Sequence, residues 1–364
     1  MKIRLTAALG LSAVLLFSAC AANETPADTA TGSSEASAPT STLEGTLSGK
    51  GASSAKVAQE TWVAAFQTAN PGVTVNYSPD GSGAGREAFI AGGADFAGSD
   101  RALKIEENTV GAFVGCAAES AAINVPIYVS PIAVIFNIEG VTDLNLTPEV
   151  LAGIFHGDIT NWNDPAIAAL NPDATLPDLA ITAVHRSDES GTTENFTDYL
   201  HVAAAGVWTD EPSQEWPVAG GEAAKGTSGV VAAVTNGTGT IGYADASQAG
   251  TASIAKVGPE GKFEAPTEEA AATAVENSPV EEGREANDIA IALDRQAEGY
   301  PIVLVSYGIA CSEYKDAAKG ELVSAYLSYV VSEEGQQAAA ASAGSAPLSA
   351  TLRDKVVAAV DSIK

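Results

Sequence analysis

Short runs of β-branched and aliphatic residues alternate along the chain with stretches whose apolar positions recur at helical spacing. Val73–Tyr77, Ile127–Phe136, Leu179–Val184, Thr240–Tyr243 and Ile302–Val305 have the composition of strands. Ala58, Trp62, Ala65, Phe66 and Ala69 fall on one helical face, as do Leu322, Tyr326, Tyr329 and Val330. Asn70-Pro71-Gly72 stops the first of these helices. Strands and helices in alternation with short connections predict an α/β fold. Three times a strand runs through a Gly/Ser-rich loop into a helix. Gly45–Leu47 leads to Gly49-Lys50-Gly51-Ala52-Ser53-Ser54. Tyr77 leads through Asp80–Gly85 to a helix expected over Arg86–Ala91. Val184 leads through His185–Thr193 to a helix carrying Phe196, Tyr199 and Leu200.

The first 44 residues break this pattern. Lys2 and Arg4 precede an apolar run, Leu5–Phe17, too short to span a bilayer comfortably, and Ser18-Ala19 then precede Cys20. Residues 1–19 therefore read as a secretory signal, and the Cys after the small pair resembles a lipobox that would acylate Cys20. Residues 20–44 hold almost no large apolar side chain and read as a disordered tether. The expected location is outside the cell membrane, anchored to its outer face through an N-terminal lipid.

The formal charge of −28 argues against nucleic acid and anionic membrane surfaces as partners. Cleavage before Cys20 would remove Lys2 and Arg4 and leave the chain two charges more negative. A small anion is still compatible, because a local cluster of amides and one Arg outweighs a distant, screened field. With Cys20 lipidated, Cys116 and Cys311 remain as a candidate disulfide in an oxidising compartment, the other possibility being two buried thiols. His156, His185 and His201 show no metal-ligand spacing, so no metal and no cofactor are expected.

The three loops carry the candidate chemistry. A helix N-terminus offers unpaired N–H groups and the positive end of its dipole, and Ser or Thr adds a hydroxyl donor. Any one such loop could be an ordinary Ser-capped helix start; three, one with an embedded Arg, point to an oxoanion. Arg186 could grip two oxygens at once, with Asp188 two residues on to orient it.

These motifs, together with Gly93-Ala94-Asp95-Phe96-Ala97-Gly98-Ser99-Asp100, Ile154–Pro165 and Ile241-Gly242-Tyr243, resemble in consistent order those of the PstS family. Its members are the extracytoplasmic phosphate-binding proteins of bacterial ATP-driven phosphate importers. The resemblance implies a two-lobed periplasmic-binding-protein-like fold of type II, each lobe a sheet flanked by helices, with the ligand in the cleft. It places lobe one at 45–130 plus 306–364 and lobe two at 131–305. Ile127–Phe136 and Tyr300–Tyr307 would cross between them. Phosphate contacts carried over by position are Ser53, Ser54, Ser82, Asp100, Arg186, Ser190, Gly191 and Thr192. Ser54 departs from a position that is often aromatic in relatives. Permease subunits are the implied partners, and a monomer is expected.

Rival functions fit less well. Gly81-Ser82-Gly83 is not a nucleophile elbow, and no metal cluster is apparent to activate water, so an enzyme acting on phosphate is disfavoured. A binding protein for another tetrahedral oxoanion is the closer alternative, and Asp100 is the residue that would discriminate.

Overall fold

The computed structural model describes residues 42–296 and 298–364. The predicted signal segment, the expected lipidation site Cys20 and nearly all of the tether lie outside the described residues. In chain order the elements are β1 (Gly45–Gly51), α1 (Lys56–Ala69), β2 (Val73–Ser78), α2 (Ser82–Ile90), β3 (Phe96–Ser99) and β4 (Ala122–Asn137). Next come β5 (Asn145–Leu146), α3 (Pro148–His156), α4 (Pro165–Leu170), β6 (Thr182–Arg186), α5 (Gly191–Ala203), β7 (Glu222–Ala224) and α6 (Gly226–Asn236). The chain continues through β8 (Thr240–Asp245), a 3-10 turn (Ala246–Gln248), β9 (Ser253–Ile254), β10 (Lys256–Val257), α7 (Glu268–Glu276) and β11 (Val303–Cys311). It closes with α8 (Ala317–Val331), α9 (Glu333–Ala343) and α10 (Ala350–Asp361).

One mixed sheet runs β2-β1-β3-β11-β4-β8-β6-β7, with β9 beside β4. Strand β4 joins its two halves. Ala122–Pro131 pairs antiparallel with β11, and Ile132–Asn137 pairs antiparallel with β8. Its sequence is nearly continuous in apolar residues because all but its last position is buried. Two prolines would be out of place in a regular central strand. Pro126 sits at the register shift against Ser306/Tyr307, and Pro131 sits where β4 exchanges β11 for β8, so both fall where the ladder is irregular. Beyond β4, β1 pairs in parallel with β2 and β3, and β6 pairs in parallel with β8 and β7. The carboxyl ends of β1, β2 and β6 therefore deliver the three loops, and the end of β3 delivers Asp100.

Cys116 and Cys311 are bonded, with sulfurs 2.00 Å apart, and link the loop before β4 to the end of β11.

Two expectations are corrected. The helix after Asp80–Gly81 begins at Ser82, not Arg86, so most of the supposed loop is its first turn. Gly81 makes this possible: it turns at φ +106°, where a side chain would be strained and would meet Asp188 Oδ2 at 2.7 Å. The third strand of the sequence reading begins at Thr182 rather than Leu179. Leu179 and Ile181 bond instead to the loop after α3, through Trp162 N–H donating to Leu179 O and Ile181 N–H donating to Thr160 O, both at 2.9 Å. Residues 281–291 bond to the β3–β4 side. Arg284 donates to Leu103 O at 2.9 Å, Ile289 N–H donates to Asn124 O at 2.8 Å, and Asp288 accepts from Asn124 N–H at 3.0 Å. The segment supplies partners for peptide groups that β11 does not reach.

Candidate anion-binding site

Arg186 ends β6, and its side chain is folded back onto Asp188. Nε donates to Oδ1 at 2.7 Å and Nη2 donates to Oδ2, while Gly226 N–H, at the start of α6, donates to Oδ1 at 3.0 Å. Burial alone would raise the Asp188 carboxyl. The hydrogen bonds and charge of Arg186, with the Gly226 amide, hold it below the ordinary carboxylate value. The carboxylate is ionised at neutral pH, and its two bonds fix the guanidinium. None of the hydrogen bonds of the described residues uses Nη1, which leaves one donor edge for a ligand.

Asp100 follows β3 and is 3% exposed. Ser54 Oγ donates to its Oδ1 at 2.7 Å, and Thr192 Oγ1 donates to its Oδ2 at 3.0 Å. Its own N–H donates to Ser82 Oγ at 3.1 Å, which frees the Ser82 proton to point elsewhere. Burial pushes the Asp100 carboxyl up. The hydroxyls of Ser54, Ser306 and Thr192 and the charge of Arg186 oppose this.

Most of the residues singled out in the sequence therefore meet. Ser54, Ser82, Gly191 and Thr192 surround Asp100; a Cβ on Gly191 would lie 2.6 Å from Asp100 Cβ and 2.8 Å from Ser82 Oγ. Ser190 caps α5 by accepting from Thr193 N–H at 3.1 Å, so the ordinary capping role is also filled. Ser53 is engaged elsewhere. Its Oγ lies 3.0 Å from Thr227 Oγ1 and accepts from Thr227 N–H at 3.1 Å.

Several residues were missed. Thr227 opens α6, whose Gly226-Thr227-Ser228 start has the same Gly/hydroxyl signature as the recognised loops and could have been found by it. Gln248 donates to Ser53 O and Ser54 O, both at 2.8 Å. Asn195 donates to Asp100 O at 2.8 Å and is itself fixed by Arg295 Nη2 at 2.6 Å. Tyr243 Oη lies 2.7 Å from Thr193 Oγ1 and accepts from Arg186 N–H at 3.3 Å. Ser306 on β11 is buried beside Asp100 but outside hydrogen-bonding geometry. An open cavity of about 230 Å³ adjoins Ser53 and Asp188 and brings Lys56 and Lys225 to the mouth of the cluster.

One buried guanidinium, fixed by its own carboxylate, thus faces a second carboxylate among hydroxyls and helix N-termini. That set can neutralise an oxoanion, donate to its oxygens and accept a proton it carries. Residues 34–334 match the PBP superfamily domain, the class to which this fold and cleft correspond. The chain is 35% identical over 325 residues to phosphate-binding protein PstS 3 of Mycobacterium leprae, covering 87% of each chain. It is 38% identical over 291 residues to PstS 3 of Mycobacterium tuberculosis, covering 78% of this chain and 77% of that one. The solved structure of the high-affinity periplasmic phosphate-binding protein PfluDING, bound with phosphate, shares the fold. Its TM-score is 0.69 at 22% identity, over 86% of this chain and 93% of that one. The chain belongs to the PstS family of phosphate-binding proteins.

Proposed function

We propose that this chain captures one inorganic phosphate between two lobes and delivers it to the permease of an ATP-driven importer, without catalysing a reaction. The observation that carries the proposal is the pairing of Arg186, held by Asp188, with Asp100, held by hydroxyls. The guanidinium supplies charge, and the carboxylate accepts the proton that phosphate retains near neutral pH. Ser53, Ser54, Ser82, Ser190, Gly191 and Thr192 complete the proposed contacts through hydroxyl and amide donors. A fully deprotonated oxoanion would meet Asp100 with nothing between two negative groups, so sulfate is disfavoured.

The lobes are proposed as 45–130 with 306–364, and 131–305, the segment 281–291 packing on the first. Bonds such as Ser53–Thr227 and Asp100–Thr192 would then form only on closure, which couples closure to ligand. The lipid on Cys20, the location at the outer face of the cell membrane and a monomeric state belong to the same proposal. Among the described residues no helix is long and apolar enough to cross a membrane, as an anchored rather than membrane-spanning body requires.

Calorimetric titration of the purified protein with phosphate tests the proposal. One phosphate should bind per chain; no phosphate binding, or release of product from a phosphate ester, overturns it.

A further inference from the structure

Asp100 is held by two hydroxyls of different provenance. Thr192 belongs to the start of α5, on the proposed second lobe, and would reach Asp100 only when the two sides meet. Ser54 belongs to the same side as Asp100. It follows β1, Asp100 follows β3, and those strands pair directly, Gly51 opposite Gly98. Ser54 is fully buried, and its Oγ makes the shorter bond, 2.7 Å against 3.0 Å. Ser82, on the same side, receives the Asp100 amide, which limits the freedom of the segment to turn from Ser54 before closure. On closure Gln248 Nε2 donates to the Ser54 carbonyl oxygen and Asn195 donates to the Asp100 carbonyl oxygen, and both add to this hold from the other side.

We propose that Ser54 is a specificity-determining positioning residue: its hydroxyl keeps Asp100 an aimed, ionised proton acceptor before the cleft closes, and so sets the pH range over which sulfate is refused. The proposal rests on the phosphate-binding reading of the site. A carboxylate has room for about four hydrogen bonds. Ser54 and Thr192 use two, so acceptor positions remain for a ligand hydroxyl. Once protonated, Asp100 could donate to an oxoanion, and the refusal of sulfate would end. The groups acting on it are few. Arg186 faces it from β6 and favours the ionised form. Tyr77 on β2 lies within electrostatic reach, and burial keeps its phenol neutral far above the working range. Ser306 on β11 adjoins it without charge. Burial opposes ionisation, so the hydroxyl donors decide the balance, and of the two hydroxyls that bond the carboxylate Ser54 is the one that does not wait for closure.

Sulfate is the suitable probe, because it carries no proton near neutral pH while phosphate titrates itself. Sulfate affinity is measured against pH, by competition with phosphate, for the wild type, Ser54→Ala, Ser54→Thr and Asp100→Asn. In the wild type sulfate should bind more tightly as the pH falls through the Asp100 titration. In Ser54→Ala that rise should occur about one to two pH units higher, the size expected for losing one hydrogen bond to a charged group. Ser54→Thr should restore the wild-type midpoint, and Asp100→Asn should show no such rise. An unshifted midpoint in Ser54→Ala, or a loss of phosphate and sulfate affinity by the same factor at every pH, overturns the role of Ser54. Because Ser54→Thr retains the hydroxyl, a midpoint in that variant matching Ser54→Ala overturns it as well. Failure of the wild type to bind phosphate would instead overturn the reading beneath it.

Discussion

The two carboxylates of the site stand in opposite chemical company. Asp188 faces a guanidinium that takes both its oxygens, and a backbone amide completes the set. Asp100 faces neutral hydroxyls, with Arg186 acting on it only at a distance. The pairing holds the first below its ordinary value, and burial pushes the second above it. The first neutralises and aims a cation; the second keeps an uncompensated acceptor where a ligand proton would arrive. An acidic chain can therefore hold a negative ligand because the charges in the cleft are assigned one by one, independently of the −28 total.

The sharpest way to break this contrast is to remove the cation. Arg186→Ala should nearly abolish phosphate binding with the fold intact by circular dichroism, since it strands Asp188 and removes a desolvated charge. The loss should be about 2–5 kcal/mol or more. Lys should rescue only part of it, lacking the two-pronged geometry. Next in size is Gly191→Ala. The added methyl would collide with Asp100 Cβ and Ser82 Oγ, at 2.6 and 2.8 Å, so the two sides could not meet. Phosphate affinity should fall by an amount corresponding to about 1–3 kcal/mol of overpacking, with the melting temperature of the ligand-free protein nearly unchanged; an unaltered affinity would argue against closure at this contact.

Asp188→Asn should act on stability as well as binding. Its folded value is lowered, so its contribution is present above the unfolded carboxylate value, about pH 4, and is lost as the pH falls through the folded one. Thermal melts of wild type and variant should therefore differ at neutral pH and converge in acid. Asp245→Asn should leave phosphate affinity almost untouched. Asp245, at the end of β8 where β4 changes partners, is pushed up to about 7 by burial, against hydrogen bonds from Ser247 and Tyr128. A raised carboxylate favours the folded state below the unfolded value and loses that benefit as the pH rises to about 7. The wild type should lose stability over that interval, and the Asn variant should not.

Much of the site is visible in the chain itself. Arg186 and Asp188 stand out because Arg is scarce and both lie in a loop between a strand and a helix. Ser54 and Ser82 lie in Gly/Ser loops that follow strands of one open sheet, whereas Asp100 is reached only through the family resemblance of Gly93–Asp100. Residues that act from afar do not emerge. Gln248 lies in a short 3-10 turn with no signature, yet it reaches Ser53 and Ser54 some 195 positions away. Asn195 and Arg295 become site residues only through a bond between helix α5 and the segment before β11, 100 positions apart. Pro126 and Pro131 obscure the single long strand β4, because a proline marks an irregularity before it reveals which neighbour the strand is about to exchange.

The contrast between the two carboxylates is tested most directly by titrating the wild-type protein and Asp100→Asn with phosphate and with sulfate at neutral pH. The wild type should prefer phosphate by about 10⁴–10⁵-fold, the discrimination open to a site built around a ligand hydroxyl. Asp100→Asn, whose amide can donate, should bind phosphate with little change and refuse sulfate far less. A wild type that binds sulfate as tightly as phosphate would contradict the role of Asp100 and with it the assignment of the site to phosphate.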